Sequence, residues 1–112
     1  MDEVKDDYYY YLAKIKDDLE FIMNIMSNLS QQEFAIQEIL IDSMMFRLIQ
    51  VAENNERLSA KFKNENKDIP WHAIKGMRNR IVHDYGCIDL TMVYNTLIKA
   101  VPLLYERIIQ FG

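Results

Sequence analysis

Apolar residues recur along this chain at alternating spacings of four and three. In the first segment they are Tyr8, Leu12, Ile15, Leu19, Ile22, Met26 and Leu29. At 3.6 residues per turn these positions share one face, so the seam predicts a long helix over residues 3–29. Ser30-Gln31-Gln32-Glu33 has the form of a capping box, in which the Ser hydroxyl accepts from the Glu33 N–H and the Glu33 side chain reaches back. A second helix is expected from there, with Phe34, Ile41, Met44, Met45, Leu48, Val51 and Ala52 on its apolar face and Leu58 and Phe62 finishing it. The polar tract Lys63–Asp68 reads as a loop closed by Ile69-Pro70. Asp68 or Pro70 can open a third helix that buries Trp71, Ile74, Met77, Ile81 and Val82. Gly86 suits that helix's C-terminal cap, where a left-handed residue is common. Asp89 is a plausible N-cap for a fourth helix with the stripe Leu90, Val93, Tyr94, Leu97 and Val101. Pro102 should kink or restart it, and Leu104, Tyr105, Ile108 and Ile109 carry the pattern onward. With no strand alternation, internal repeat or Gly-rich phosphate loop, the chain predicts an all-α, antiparallel bundle of four to five helices as a single domain, residues 1–112.

Composition agrees and narrows the class. Half of the 112 residues are apolar, 27% are charged, and only 3 are Gly and 2 Pro. That balance excludes a disordered chain and a turn-rich β fold. The seven methionines read as core filler. A lone cysteine, Cys87, excludes an intrachain disulfide and a multi-Cys metal site, as expected in a reducing cytoplasm. No apolar run approaches the roughly 18 residues needed to span a membrane, and the acidic segment Met1–Asp7 is unlike a signal peptide. A cytoplasmic protein is the expectation.

The net charge of −4 counts against a general nucleic-acid coat, since such binding rests on neutralising phosphates. The charge is unevenly spread, however. Asp2, Glu3, Asp6, Asp7, Asp17, Asp18 and Glu20 crowd the N-terminal quarter, while Lys75, Arg78 and Arg80 fall together with only Asp84 as a near acid. A local basic site fits this pattern. The run Tyr8-Tyr9-Tyr10-Tyr11 is expected to serve the core and a partner contact, with RNA stacking as the sharper alternative.

The segment Trp71–Gly86 gathers Arg78, Asn79, Arg80, His83, Asp84 and Tyr85 at one helix end. Arg offers a planar fork of donors for phosphate oxygens, and His exchanges protons near neutral pH. Together they could cleave RNA with neither metal nor cofactor. His83 would act on a proton of the 2′-hydroxyl or the leaving oxygen, and Arg78 would stabilise the charge on phosphorus. Five residues are ~500° of helix, so the two side chains stand ~140° apart. Either the helix ends between them or a second copy completes the site across a two-fold axis. Taken singly, each has an ordinary role: His83 at a helix C-terminus, Arg78 and Arg80 on the surface, Tyr85 as a half-buried aromatic.

Met77-Arg78-Asn79-Arg80-Ile81-Val82-His83-Asp84-Tyr85 resembles the Arg-Asn-x-x-x-His-x-Tyr signature of the HepT-like branch of HEPN proteins. The likeness extends over roughly residues 30–110, through Asp42-Ser43-Met44, Leu48–Glu53, Arg57-Leu58-Ser59, Ile69-Pro70-Trp71, Ile88-Asp89-Leu90, Val93-Tyr94 and Val101–Leu104. Ala52 with Asn54-Asn55 departs from it, standing where that family more often has Gly and a less polar stretch. The resemblance implies a HEPN fold, a two-fold homodimer and a toxin-type endoribonuclease with RNA as substrate. It assigns Arg78 and His83 to catalysis, with Asn79 and Arg80 in support. It also implies a minimal nucleotidyltransferase antitoxin that transfers AMP to the motif tyrosine, here Tyr85, as in type VII-like toxin–antitoxin pairs. Asp42 and Glu53 could orient Arg78 or His83. The competing expectation is a non-catalytic HEPN module that binds a nucleotidyltransferase partner.

Overall fold

Seven α-helices follow one another in the computed structural model, which describes residues 2–111, with side chains from residue 8. They are α1 (Asp2–Met26), α2 (Gln31–Ala35), α3 (Glu38–Glu56), α4 (Ala60–Glu65), α5 (Trp71–Asp84), α6 (Leu90–Asn95) and α7 (Val101–Ile108). A 3₁₀ turn, Tyr85–Cys87, follows α5, and a π-helical turn, Thr96–Ala100, joins α6 to α7. No strand occurs among the described residues. The N-terminal acids Asp2, Glu3, Asp6 and Asp7 lie outside the residues whose side chains are described, and Met1 and Gly112 lie outside altogether.

The first seam holds. Leu12, Ile15, Leu19, Ile22 and Met26 are buried, and Tyr8 and Leu29 pack half-buried against them. Asn28 ends the run in the left-handed region, φ 62°, and the Leu29 N–H donates to the Met26 carbonyl at 3.1 Å. Asn visits that region more readily than most residues because its short polar side chain can hydrogen-bond to nearby backbone. The capping box at Ser30 and Glu33 forms in both directions, at 3.1 and 2.9 Å.

The expected second helix is three. The Gln37 N–H bonds the Phe34 carbonyl, three residues back, while its side-chain amide takes the Glu33 carbonyl at 3.1 Å, so the α-helical ladder stops there. Ser59 then caps α4 by accepting from the Phe62 N–H at 3.1 Å. These local bonds interrupt the backbone while every apolar position expected along the segment, from Phe34 to Phe62, still reaches the core.

The tract Lys63–Asp68, expected as a loop, is helical through Glu65, because the Ser59 cap starts α4 just before it, and two other expectations change. Gly86 is no left-handed cap: it sits in the 3₁₀ turn, and no described glycine has positive φ. Tightening of the last turn ends α5 instead. Pro102 stands in the first turn of α7, and the chain reaches it through the π turn, where the Val101 N–H donates to the Thr96 carbonyl. The missing proline N–H is absorbed by a wider turn, and α6 and α7 form one nearly continuous rod.

The order of contacts along the long helices shows how they run. Asp18 on α1 pairs with Arg47 on α3 at 2.7 Å, and Tyr10 and Tyr11 face Glu53–Arg57, so α1 and α3 are antiparallel. The Tyr105 hydroxyl on α7 donates to Glu20 at 2.6 Å, while Ile108 and Phe111 lie beside Tyr9 and Leu12. Phe34, Met44, Ile81 and Leu97 are fully enclosed where these rods meet. Burial at roughly 1.5–3 kcal/mol per large apolar side chain is the dominant favourable term. One residue breaks the pattern: Asn55 is 3% exposed, and neither polar atom of its side chain has a hydrogen-bond partner among the described residues.

Candidate functional site

Helix α5 carries the charged segment and packs on α3. Ile81 is buried, Ile74 and Met77 are half-buried, and Val82, expected inside, is 47% exposed. The Arg78 Nε donates to Glu53 Oε2 at 3.0 Å, and Nη1 donates to Asn79 Oδ1 at 3.2 Å. Nη2 carries no hydrogen bond among the described residues, so the outer edge of the guanidinium is available to a ligand. The ion pair is half-exposed and worth ~0–1 kcal/mol in stability. Its larger consequence is orientation.

Tyr85, in the 3₁₀ turn, is 46% exposed and donates its hydroxyl to Asp42 Oδ1 near the other end of α3. That bond to a carboxylate holds the phenol's pKa above its ordinary 10.0. Asp42 and Glu53 are three helical turns apart on α3, and Arg78 and Tyr85 two turns apart, so the two contacts pin α5 antiparallel to α3. Of the roles expected for these acids, Glu53 takes Arg78, and Asp42 takes Tyr85 in place of Arg78 or His83.

His83 is exposed, and its side chain makes no hydrogen bond among the described residues. Helix α5 runs unbroken through Arg78 and His83, so their ~140° separation stands within one chain. Asn79 lies between them, four residues before His83 and ~40° from it. Arg80 turns the other way: it is exposed, and its Nη1 lies 2.8 Å from Met92 Sδ on α6. The structure thus sets Arg78 and Tyr85 along α3, with Asn79 bonded to Arg78, and turns His83 off that face and Arg80 toward α6.

Two features were not legible in the spacing. Glu56 lies 3.5 Å from Lys75, and Glu53 pairs with Arg78, so α3 brings two acids to a cluster whose only near acid in sequence was Asp84. The tyrosine run divides by helical geometry. Tyr8 packs edge-on against Phe62 at 4.2 Å between ring centroids, Tyr11 is half-buried, and Tyr9 and Tyr10 are exposed. Among the described residues no group of three or more His, Cys, Asp or Glu side chains is placed to hold a metal ion, and no helix is long and apolar enough to cross a membrane.

Comparison with known proteins gives a consistent answer. The model of the family "Ribonuclease HepT-like" matches residues 15–111. A protein of Caldanaerobacter subterraneus subsp. tengcongensis named "Putative RNase TTE0752" is 24% identical over 98 residues, covering 88% of each chain. A Thermococcus cleftensis protein named "Probable ribonuclease HepT" is 22% identical, over 84% of this chain and 86% of its own. A Methanocaldococcus jannaschii protein named "Putative RNase MJ1380" is 24% identical, over 95% of this chain and 94% of its own. No solved structure matches. With Arg78 and His83 borne on one exposed helix and the family match spanning most of the chain, this protein belongs to the HepT-like ribonuclease family.

Proposed function

We propose that this protein is the toxin of a type VII-like toxin–antitoxin pair, a metal-independent endoribonuclease that works as a two-fold homodimer and is silenced by AMP transfer to Tyr85. One observation carries the reading: the Arg78 guanidinium is held by Glu53 and Asn79 with its outer edge open, on the same helix as a solvent-accessible His83. His83 takes the proton of a ribose 2′-hydroxyl, the oxygen attacks the adjacent phosphorus, and Arg78 stabilises the charge that builds on the phosphoryl oxygens. The bond from phosphorus to the 5′-oxygen breaks, and that oxygen takes a proton from water, giving a 2′,3′-cyclic phosphate and a 5′-hydroxyl. Because the two side chains diverge by ~140° in one chain, the groove is assembled from the Arg78 side of one copy and the His83 side of another. Exposed apolar residues suit that pairing: Ile39 and Phe46 share a face of α3, and Val82 lies near Arg78 and Tyr85 on α5.

The half-exposed Tyr85 is the acceptor for AMP from a minimal nucleotidyltransferase antitoxin. A bulky anion there, two residues from His83, fills the groove and repels an RNA phosphate. The deciding experiment incubates the unmodified protein with RNA in EDTA. Cyclic-phosphate ends that vanish with His83→Ala and with Arg78→Ala support the reading. The second reading, a non-catalytic module that binds the nucleotidyltransferase, is favoured by the neutralisation of Lys75 and Arg78 by Glu56 and Glu53. A folded, unadenylylated protein that cuts no RNA would put it first.

A further inference from the structure

Between the N-terminal half of α1 and the C-terminal half of α3 runs a groove that the site above leaves unused. Its walls are Tyr10, Tyr11 and Lys14 from α1, Gln50 and Asn54 from α3, and Arg57 just past the end of α3. Glu53, the partner of Arg78, forms the ridge between the two. The groove's α1 wall precedes residue 15, where the family match begins.

We propose that this groove binds one single-stranded nucleotide of the RNA substrate, flanking the Arg78 centre; the proposal rests on the ribonuclease reading. Five features point to a nucleotide. Tyr10 is 56% exposed and offers a ring on which any base can stack. The Lys14 ammonium lies 5.3 Å from the Tyr10 ring centroid and the Arg57 guanidinium 5.7 Å from that of Tyr11, and neither cation has an ion-pair partner among the described residues. Lys75 and Arg78, by contrast, are each paired with a glutamate of α3. The positive charge free to meet a phosphate on this side of Glu53 is therefore that of Lys14 and Arg57. The Gln50 side-chain amide, unbonded among the described residues, is placed to meet a base edge, while Asn54 is anchored through Nδ2 to the Gln50 carbonyl at 3.0 Å. The groove is about 470 Å³, within the range of small-molecule sites. Its lining is more polar than apolar, which favours a nucleotide over a protein helix.

The test uses the full chain carrying His83→Ala, so that RNA survives, and reads fluorescence anisotropy of a labelled single-stranded oligoribonucleotide across a salt series. Tyr10→Ala should weaken binding about 5- to 100-fold, and Tyr10→Phe, which keeps the ring, should bind like the parent. Lys14→Ala and Arg57→Ala should each reduce the slope of log affinity against log salt by ~0.7–1. Photo-crosslinking with iodouridine-substituted RNA should map to Tyr10 or Tyr11. If Tyr10→Ala and Arg57→Ala bind as the parent does while Arg78→Ala binds weakly, the groove proposal falls and the ribonuclease reading stands. If the parent binds no RNA, both fall. Unchanged RNA binding with lost affinity for a nucleotidyltransferase would make the groove a protein contact and overturn the proposal.

Discussion

Glu53 on α3 accepts a hydrogen bond from the Arg78 Nε on α5 at 3.0 Å, across 25 residues of chain. The contact aims the one motif arginine that faces α3, and it also ties α5 to the groove between α1 and α3. Replacing Glu53 with Gln keeps an acceptor and removes the charge, and Glu53→Ala removes both. The alanine variant should lose RNA-cleavage efficiency by about 10- to 100-fold, the scale of a misplaced catalytic group, and the glutamine variant should lose less. Stability should change by ~1 kcal/mol or less, since the pair is half-exposed. Steady-state kinetics beside a thermal melt checks this; full activity in Glu53→Ala would mean that Arg78 needs no tether.

The Tyr85–Asp42 bond sets the ionisation of the proposed AMP acceptor. Its pKa is raised above 10.0, chiefly by that hydrogen bond. The bond's contribution is therefore complete below the unfolded value and is lost as pH rises through the raised folded one. In Asp42→Asn the phenol should titrate closer to 10.0. Ultraviolet titration with Tyr85→Phe as the subtracted reference checks the direction. With the nucleotidyltransferase and ATP, mass spectrometry should place the adenylyl group on Tyr85; an adduct on Tyr8–Tyr11 instead would refute that assignment.

Assembly has its own test. Phe46 and Val82 are 56% and 47% exposed, so Phe46→Asp and Val82→Asp leave the core of a single chain intact. Both should yield folded monomers in sedimentation at micromolar concentration, with RNA cleavage lost in parallel, if two copies complete one site. A monomer with undiminished activity contradicts the composite groove.

Acid should weaken the fold through two named carboxylates. Glu33 is held below its ordinary 4.5, first by its backbone bond to Ser30, and Asp68 below 3.8, first by its bond to Arg107. A lowered folded-state pKa stabilises above the unfolded value and ceases to do so as pH falls through the folded one. The melting temperature should therefore fall on acidification below the ordinary carboxylate range. Glu33→Gln with Asp68→Asn should be less stable at neutral pH and show a shallower acid limb.

The Asn55 amide is buried with no hydrogen-bond partner among the described residues, and a buried unpaired polar group costs about 1–3 kcal/mol. Asn55→Leu, similar in volume, should raise stability by roughly that amount in a denaturant titration. A destabilised variant would reveal a partner for the amide in solution.

Helices and their inward faces were readable in the chain because they depend on short-range regularities. A 3.6-residue repeat and side chains that bond three residues away are enough to mark the seam of α1, the box at Ser30 and Glu33, and the cap at Asp89. The breaks at Gln37 and Ser59 escaped the periodic pattern, which continues across them while the backbone does not. The motif Arg78–Tyr85 was equally legible as chemistry, along with the divergence of Arg78 from His83. Its partners were not. Glu53 with Arg78, Asp42 with Tyr85 and Glu56 with Lys75 meet only when α3 and α5 pack antiparallel, and the α1–α3 groove exists only once Tyr10 is brought beside Arg57. Local sequence determined which helices form and which side each buries; tertiary packing decided which charges are neutralised and which remain to meet a ligand, because those pairings join residues far apart in the chain.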